Sequence, residues 1–409
     1  MTVPKLRFKD DNGNDYPAWE MKKFGDVMDD FSYGMNVASK CFDGRNKYIR
    51  ITDIDESTHK YDSSDIVSPD GKLEQKYLVK DGDILFARTG ASVGKSYLYN
   101  SEDGNLYFAG FLIRGRVKSS YNPYFIYLQT LTFNYKKWVD IFSMRTGQPG
   151  INAEEYRSFK FLCPSLPEQK KIADFLSSFD KRIETTQKKL ATLEKLKKGF
   201  MQKIFSQQLR FKDDNGNDYP AWEEKRLGEV TVKYKGNTLS KDNLDSEGMY
   251  PCLLYGELYT TYGPIASTIL SRTNKLGKGM WVSEKDDVVV PVSGETAIDI
   301  STATCIKQNG VVIGGDLLIL HSSRILGDFL SYSLNYPLKL TIAKYAQGAS
   351  IVHMNIDSLM KVHIKFPSLP EQQKIADFLS AFDKKIDLVR KEVDTLQTIK
   401  KGLLQQMFV

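Results

Sequence analysis

The chain has 409 residues, of which 41% are hydrophobic and 26% are charged. This composition excludes a disordered protein and supplies enough apolar side chains for sizeable cores, and the length predicts about two to four domains. The formal net charge of +6 is compatible with a nucleic-acid partner but is too small to identify one.

Targeting and redox signals point to an ordinary intracellular protein. No run of roughly 18 apolar residues is present, and Met1–Arg7 lacks the apolar core of a secretory signal. The four cysteines have no regular spacing. We therefore expect a cytoplasmic protein with reduced thiols and no membrane contact.

The first element in chain order is a block that occurs twice. Leu6–Glu20 and Leu209–Glu223 both read LRFKDDNGNDYPAWE, an offset of 203 residues (209 − 6 = 203). The Asp-Asn-Gly-Asn run indicates a turn. A calcium loop is disfavoured because Asp15 stands where such a loop needs glycine. The Tyr16–Trp19 tail is expected to dock on a helix end or on a partner.

The middle of the first repeat alternates short β-like runs with turns. Asp83–Arg88 and Phe108–Ile113 are the clearest strands, and a helical stretch covers Pro123–Phe133. Arginine matches the hydrogen-bonding edge of guanine and Gln or Asn that of adenine, so the polar residues beside these strands suit base reading. At each position the alternative is an ordinary exposed loop residue. The candidates are Arg88, Thr89, Ser92, Lys95, Arg114, Arg116, Arg145, Thr146, Gln148 and Asn152.

Three segments resemble catalytic motifs, but none of them has the full pattern. Gly90–Ser96 has three residues where a phosphate-binding loop has four before Gly-Lys-Ser. Asn122–Phe125 resembles an adenine methyltransferase motif but lacks its second proline, and Pro69–Lys76 is too short for a nuclease site. The four histidines lack metal-ligand spacing. We expect no catalytic residue and no metal site.

A long helix is predicted after the first domain. Ser165, Pro167 and Glu168 have the spacing of a helix start with a capping box. Apolar residues then recur at steps of three and four, the pattern of a coiled-coil seam that only Thr186 interrupts. The predicted seam is Ile172, Leu176, Phe179, Ile183, Leu190, Leu193, Leu196, Phe200 and Ile204.

The second repeat has a different middle. Its clearest strands are Asp287–Val292 and Asp316–Leu320, followed by a helical stretch at Gly327–Leu338. The polar loop residues that suit base reading are Ser293, Glu295, Thr296, Lys344, Gln347, Ser350 and His353. Both middles therefore predict α+β domains that are mostly β, with different loops.

The second repeat ends in a second long helix. Pro367–Ile386 differs from Pro164–Ile183 only at the pairs Lys170/Gln373, Ser178/Ala381 and Arg182/Lys385. Ser368, Pro370 and Glu371 repeat the helix start, and a second seam runs to Met407. Two matched stripes predict an antiparallel coiled coil between the helices. The predicted domains are residues 1–163 and 206–366, and the predicted helices are 164–205 and 367–409.

The net charge lies on the helices. Residues 168–205 contain 10 basic and 5 acidic residues, residues 371–408 contain 7 and 6, and the remainder contains 40 of each. Because the predicted domains are neutral overall, charge alone gives little support to DNA binding.

Taken together, the chain resembles the specificity (S) subunits of type I restriction-modification systems. The resemblance covers nearly the whole chain and is most specific at Leu166–Gln169, at Leu369–Gln372 and in the helices that follow. Asp83–Gly90 is also typical of the target recognition domains of that family. The second repeat departs from it at Val290–Thr296. The implied fold is two mostly-β α+β recognition domains joined by two long helices in an antiparallel coiled coil, with a pseudo-two-fold internal repeat.

The resemblance also implies function and partners. Each domain would read one half of a split, asymmetric site in double-stranded DNA. The helices would set the spacer and dock two methyltransferase (M) subunits, through which restriction (R) subunits join. The chain itself would be non-catalytic and hold no cofactor, with S-adenosylmethionine in M and with ATP and magnesium in R. The candidate M contacts are Pro167, Glu168, Gln169, Pro370, Glu371, Gln372, Trp19 and Trp222. The alternative is an adaptor whose two domains bind proteins.

Overall fold

The structure is a computed structural model that describes residues 4–56, 58–145, 147–277, 280–348 and 351–408. The chain forms two compact units, and each combines residues of the first repeat with residues of the second. Unit 1 comprises Met1–Gln187 and Lys391–Val409, and unit 2 comprises Lys188–Arg390. Each unit therefore holds one globular domain together with half of each long helix.

The elements of the first repeat are β1 Glu20–Lys23, α1 Phe24–Val27, β2 Met28–Tyr33, β3 Ser39–Cys41, β4 Lys47–Ile49, β5 Val67–Pro69, β6 Asp83–Ala87, β7 Ser96–Leu98, β8 Leu106–Phe108, β9 Leu112–Val117, α2 Pro123–Gln129, α3 Phe133–Phe142, α4 Ala153–Ser158, β10 Lys160–Cys163 and α5 Leu166–Phe205.

The elements of the second repeat are β11 Glu223–Arg226, α6 Leu227–Val230, β12 Val232–Lys235, β13 Tyr250–Leu253, α7 Glu257–Thr260, β14 Ile265–Ala266, β15 Arg272–Thr273, β16 Val288–Pro291, β17 Ser293–Gly294, β18 Thr304–Ile306, β19 Val312–Ile313, β20 Leu317–His321, α8 Gly327–Asn335, α9 Lys339–Ala343, β21 Ala346–Gln347, β22 Val352–Met354, α10 Ile356–Met360, β23 His363–Phe366 and α11 Leu369–Met407.

The main sheet of unit 1 separates two cores. Its strand order is β2-β9-β6-β7, and β6 is buried along its whole length. Successive side chains of a strand point to opposite faces. Accordingly Ile84 and Phe86 join the core that contains the helices, whereas Leu85 and Ala87 join a second core on the far face. The continuous apolar run in the sequence thus reflects a strand covered on both sides.

Unit 2 uses the same plan with a wider sheet. Its strand order is β12-β20-β16-β18-β14, and β16 is again fully buried. Val288 and Val290 face the core that contains the helices, and Val289 faces the opposite core. A small sheet of order β17-β22-β21 has no named equivalent among the strands described in unit 1. The two units therefore share a frame and differ in the loops built on it.

A short two-stranded sheet closes each domain against the start of a long helix. In unit 1, β1 pairs antiparallel with β10, which leads directly into α5. In unit 2, β11 pairs in the same way with β23, which leads into α11. The repeated block at the beginning of each half is thus held beside the helix at its end.

Within each unit the two helix segments run antiparallel. In unit 1, Asp180 of α5 pairs with Lys400 of α11 and Arg182 pairs with Glu392, so one residue number rises as the other falls. In unit 2, Lys197 pairs with Asp383 and Glu194 pairs with Arg390 in the same sense. The predicted α+β fold with an antiparallel pair of long helices is confirmed.

The seam differs in detail from its prediction. Thr186, expected to interrupt the seam, is buried, and its hydroxyl donates to the Arg182 carbonyl oxygen at 2.8 Å. Leu196 was placed on the seam but is 47% exposed, and Ile399 at the equivalent position is 44% exposed. Met201 and Leu404 are buried instead. The three-and-four spacing gave the helices correctly but not every buried position.

Candidate functional site

Two loops of unit 1 meet at one end of its main sheet. Residues 88–95 follow β6, and residues 144–152 precede α4. The Gly90 N–H donates to the Pro149 carbonyl at 3.0 Å, and the Ile151 N–H donates to the Arg88 carbonyl at 2.9 Å. We call these two segments the loop end of unit 1. The predicted residues Arg88, Thr89, Gln148 and Asn152, far apart in sequence, lie on these two segments.

The other predicted residues of this loop end have varied local roles. Ser92 closes a short helical turn, and Lys95 Nζ lies 3.3 Å from a carboxylate oxygen of Glu56. Arg145 is exposed and donates to both carboxylate oxygens of Glu155. Asn152 caps α4 by accepting from the Glu155 N–H at 2.9 Å. Thr146 lies outside the described residues.

Arg114 does not belong to the loop end, which corrects its prediction as a DNA contact. Its side chain is buried, donates to the Lys76 carbonyl at 2.7 Å and pairs with Asp30. A guanidinium enclosed in this way cannot reach a nucleic acid in this structure. Its place in β9, directly after a buried Ile-containing run, makes it a structural cation.

Arg116, also predicted as a DNA contact, lies at the opposite end of the sheet from Arg88 and therefore outside the loop end. It pairs across the sheet with Asp83, the first residue of β6, and Arg88 follows the last residue of that strand. Its guanidinium donates to both carboxylate oxygens of Asp83 at 2.6 and 2.9 Å. In unit 2, Asp287 and His321 form the corresponding pair at 2.9 Å, and burial raises the pKa of Asp287.

The loop end of unit 2 is built from the corresponding segments, residues 292–299 and 344–353, apart from two residues that are not described. Here β17 pairs with β22, and β22 pairs with β21. Ser293 is buried, and its Oγ lies 2.9 Å from Nδ1 of the exposed His353. Glu295, Thr296, Lys344 and Gln347 are exposed on the same segments, and Ser350 lies outside the described residues.

The helix starts are tied to their own domains. Glu168 is fully buried and accepts from Arg7 Nη2 at 2.7 Å and from Trp19 Nε1 at 3.1 Å. Glu371 is equally buried and accepts from Arg210 Nη2 at 2.7 Å. The predicted capping boxes do not form, because the Ser165 and Ser368 hydroxyls are buried with no hydrogen-bond partner in the described structure and each glutamate binds the arginine of the repeated block.

The glutamine of each helix start joins it to a domain helix. Gln169 accepts from the Asn122 N–H at the start of α2 at 2.9 Å and donates to the Pro164 carbonyl at 2.8 Å. Gln372 accepts from the Leu326 N–H and donates to the Pro367 carbonyl, both at 2.8 Å. The side-chain amides of both glutamines are therefore already engaged in hydrogen bonds within the chain and are not left for a partner protein.

The expectation that these motifs contact M is accordingly corrected for five of the eight residues. Glu168, Gln169, Glu371, Gln372 and Trp19 are buried within their own units. Trp222 is half-buried against Phe205 and Phe329. Only Pro167 and Pro370 are exposed among the residues named for this role. The tail of the repeated block does dock on a helix start, as one of its two predicted alternatives.

A contact missed from the sequence links each domain to both long helices. In unit 1, Asp180 of α5 binds the Tyr124 hydroxyl and Lys400 of α11. In unit 2, Asp383 of α11 accepts from the Tyr332 hydroxyl at 2.6 Å and binds Lys197 of α5.

The two Tyr-Asp-Lys contacts use the long helices in opposite ways. In unit 1 the aspartate lies on α5 and the lysine on α11, whereas in unit 2 the aspartate lies on α11 and the lysine on α5. Burial and the nearby carboxylate raise the pKa of both tyrosines, so both phenols stay protonated and donate. The aspartates and the lysines each recur at the offset of 203 residues. That spacing could have indicated the aspartates and lysines from the sequence. The tyrosines lie in the diverged middles of the repeats, where no repeated pattern marks them.

One cluster has the composition of a metal site. Asp286, Cys305 and Asp328 converge in unit 2. Lys307 Nζ binds Asp286 and lies 2.9 and 3.0 Å from the two oxygens of Asp328. An internal ammonium therefore already supplies the positive charge that these carboxylates need.

Comparison with known proteins gives the family. The family described as the type I restriction modification DNA specificity domain matches the chain twice, over residues 17–195 and 220–398. The chain belongs to this family. The two matches are separated by the same 203 residues as the repeated blocks (220 − 17 = 203). The resemblance inferred from the sequence is thus confirmed.

Relatives in Methanocaldococcus jannaschii span almost the full length. A provisionally named MjaX type I restriction enzyme specificity subunit is 28% identical, covering 94% of this chain and 92% of the relative. The MjaVIII specificity subunit is 25% identical, covering 97% and 94%. The crystal structure of an S subunit from M. genitalium matches with a TM-score of 0.65 and 17% identity over 100% of this chain and 99% of that one, and so supports the fold.

The chain is therefore a type I specificity subunit with two DNA-recognition domains, and such subunits are non-catalytic. Among the helices that the structure describes, none combines the length and the apolar character needed to cross a membrane.

Proposed function

We propose that each loop end reads one half of a split, asymmetric DNA site. The observation that carries this proposal is the pairing of a repeated frame with two different loop ends. One presents Arg88, Thr89, Gln148 and Asn152. The other presents Glu295, Thr296, Gln347 and His353, with Ser293 behind the histidine. Different polar groups in the same place of each frame favour different bases, so the two half-sites should differ.

The long helices set the distance between the two half-sites in this proposal. Leu166–Phe205 is one continuous helix of 40 residues. At 1.5 Å per residue it is roughly 60 Å long. A helix of that length is stiff compared with a linker, and the Tyr-Asp-Lys contacts fix its register to each domain.

Two copies of one methyltransferase partner fit the repeated frame. The helix starts and the blocks bound to them are nearly identical in sequence, and in both the arginine of the block binds the buried glutamate of the helix start. Equivalent surfaces bind equivalent partners. Pro167 and Pro370, which are exposed there, and the half-buried Trp222 are the remaining candidates for contact with M. Restriction subunits would join through M.

The chemistry would lie in the partners. M would bind S-adenosylmethionine and methylate adenine, and R would use ATP with magnesium. This chain would contribute sequence recognition alone, in the cytoplasm, where its DNA lies.

The test is methylation of a DNA library with randomised sequence by the complex of this chain with its M partner. We expect a single motif made of two different half-sites and a spacer of fixed length. An M partner incubated without this chain is the control and should give no motif. Methylation without sequence preference by the full complex would refute the proposal.

Salt dependence separates DNA reading from the adaptor alternative. Contacts between cations and phosphates release counterions, so affinity falls steeply as salt rises. A complex that binds DNA only through M, with this chain as a protein adaptor, would keep the salt dependence of M alone.

A further inference from the structure

Arg88 stands out at the loop end of unit 1 because its guanidinium lies close to two aromatic rings. The central carbon of the guanidinium lies 5.2 Å from the ring centre of Tyr33 and 5.6 Å from that of Phe111. Its Nε donates to the Gly110 carbonyl at 2.9 Å. Both rings are themselves partly exposed, at 45% and 56%. The arginine thus contacts two rings and one carbonyl, and the cluster faces solvent.

The groups that hold Arg88 are fixed by the main chain. The Arg88 N–H donates to the Phe111 carbonyl at 3.0 Å, which ties it to the turn that carries one ring. The Tyr33 hydroxyl accepts from the Ala153 N–H at 3.2 Å, at the start of α4. A side chain ordered before binding loses less conformational entropy on contact with a ligand. The cluster is therefore organised in advance for recognition.

Arg88 also differs from the other arginines predicted to contact DNA. Arg114, Arg116 and Arg145 each pair with a carboxylate. Within the described parts of the chain, Arg88 has no carboxylate partner and only its Nε is engaged. The edge formed by Nη1 and Nη2 is left for an external acceptor pair. Two parallel N–H donors match O6 and N7 of guanine in the major groove.

We infer that Arg88 reads a guanine in the half-site bound by unit 1, and this inference rests on the proposed function. Guanine is favoured over a phosphate because phosphates are present in both half-sites, so a phosphate contact is expected to recur in both units, whereas unit 2 has no arginine at this position. The residue in the same position after β16 is Val292, which is half-buried against the core. The requirement for guanine from this position therefore applies to one half-site only.

The experiment compares wild type, Arg88→Ala and Arg45→Ala, each in complex with the M partner, by methylation of a randomised DNA library. Arg45 is an exposed turn residue between β3 and β4 and serves as the matched loss of one arginine. We expect an invariant guanine in one wild-type half-site. Arg88→Ala should weaken the preference for that guanine by about 5- to 150-fold, the usual discrimination of a bidentate pair. The other half-site and Arg45→Ala should be unchanged.

The outcomes are distinguishable. Retention of the preferences at the other bases of the same half-site shows that unit 1 of Arg88→Ala is folded. A wild-type motif without guanine in the half-site that responds to Arg88 would overturn the inference while leaving the proposed function intact. So would a uniform loss of methylation without relaxed specificity, which would make Arg88 a phosphate contact. Absence of any wild-type motif would instead mean that the proposed function fails.

Discussion

At the scale of single residues, the two copies of the helix start are alike in sequence but not in hydrogen bonding. Glu168 and Glu371 are both fully buried, and each is bound by an arginine of the repeated block. Glu168 also accepts from Trp19 Nε1, whereas Trp222 Nε1 is buried with no hydrogen-bond partner in the described structure. The two glutamates therefore accept from different numbers of side-chain donors, although the sequences around them are nearly identical.

This difference predicts unequal effects of equivalent mutations. Removing one partner of a buried ion pair leaves an uncompensated charge, which costs about 3–5 kcal/mol. Arg210→Met leaves Glu371 with none of the side-chain donors described for it, so the loss in the free energy of unfolding should reach that range. Arg7→Met leaves Glu168 its tryptophan donor and should cost less. Hydrogen exchange, measured separately for β10 and β23, gives the local free energies.

The control for this comparison is Arg390→Gln. Arg390 pairs with Glu194 on the helix surface, where both side chains are about half exposed. Exposed pairs contribute about 0–1 kcal/mol, so exchange should change little. Equal losses for the Arg7 and Arg210 variants would contradict the role assigned to Trp19.

Residue chemistry was also the part least accessible from the sequence. The repeated PSLPEQ motif predicted a helix start correctly, but the partner of its glutamate lies about 160 positions earlier in the chain. Local spacing rules consider only the next turn of the helix. For the same reason Arg114 was grouped with the loops, although burial and Asp30 make it structural.

At the scale of elements, periodicity was sufficient to predict both long helices. α5 and α11 begin and end within a few residues of their predicted limits. Leu196 was misassigned because a helix of 3.6 residues per turn drifts against a strict seven-residue repeat. The strands β6 and β16 were also found from their apolar runs, whereas the short strands of the diverged middles carry too little pattern to be recognised.

The helices allow the proposed spacer to be tested directly. Deleting residues 186–192 and 389–395 together removes one heptad from each helix between the two Tyr-Asp-Lys contacts. Each helix then shortens by roughly 10 Å. At about 3.4 Å per base pair the methylated motif should keep both half-sites and lose up to about 3 base pairs of spacer. Sequencing of methylated library DNA measures this.

A deletion of one heptad from α5 alone is the control for that experiment. It breaks the match between the helices and should reduce methylation without giving a new spacer. If the matched deletion remains active with the original spacer, the helices do not set the distance.

At the scale of the whole molecule, the internal duplication supports DNA recognition more strongly than the net charge does. The lysines and arginines of the domains are balanced by carboxylates, and many are paired with them, such as Arg50 with Asp53 and Arg116 with Asp83. Recognition must therefore depend on a few oriented groups at the loop ends. The sequence located those loops but could not show which of their polar groups are engaged by neighbours from other segments.

Because each unit has its own core and its own loop end, the two half-sites should be separable. Replacing residues 24–150 with the corresponding segment of a relative of different specificity exchanges the loop end of unit 1, apart from Ile151 and Asn152, and keeps the repeated block, α5 and α11. The half-site read by unit 1 should change to that of the donor, while the second half-site and the spacer stay the same. The measurement is the methylated motif, and exchange of residues 227–353 is the reciprocal control, which should alter only the other half-site. A change in both half-sites after either exchange would show that the two domains read DNA jointly, because a shared surface is the only way that one set of loops could alter the bases chosen by the other.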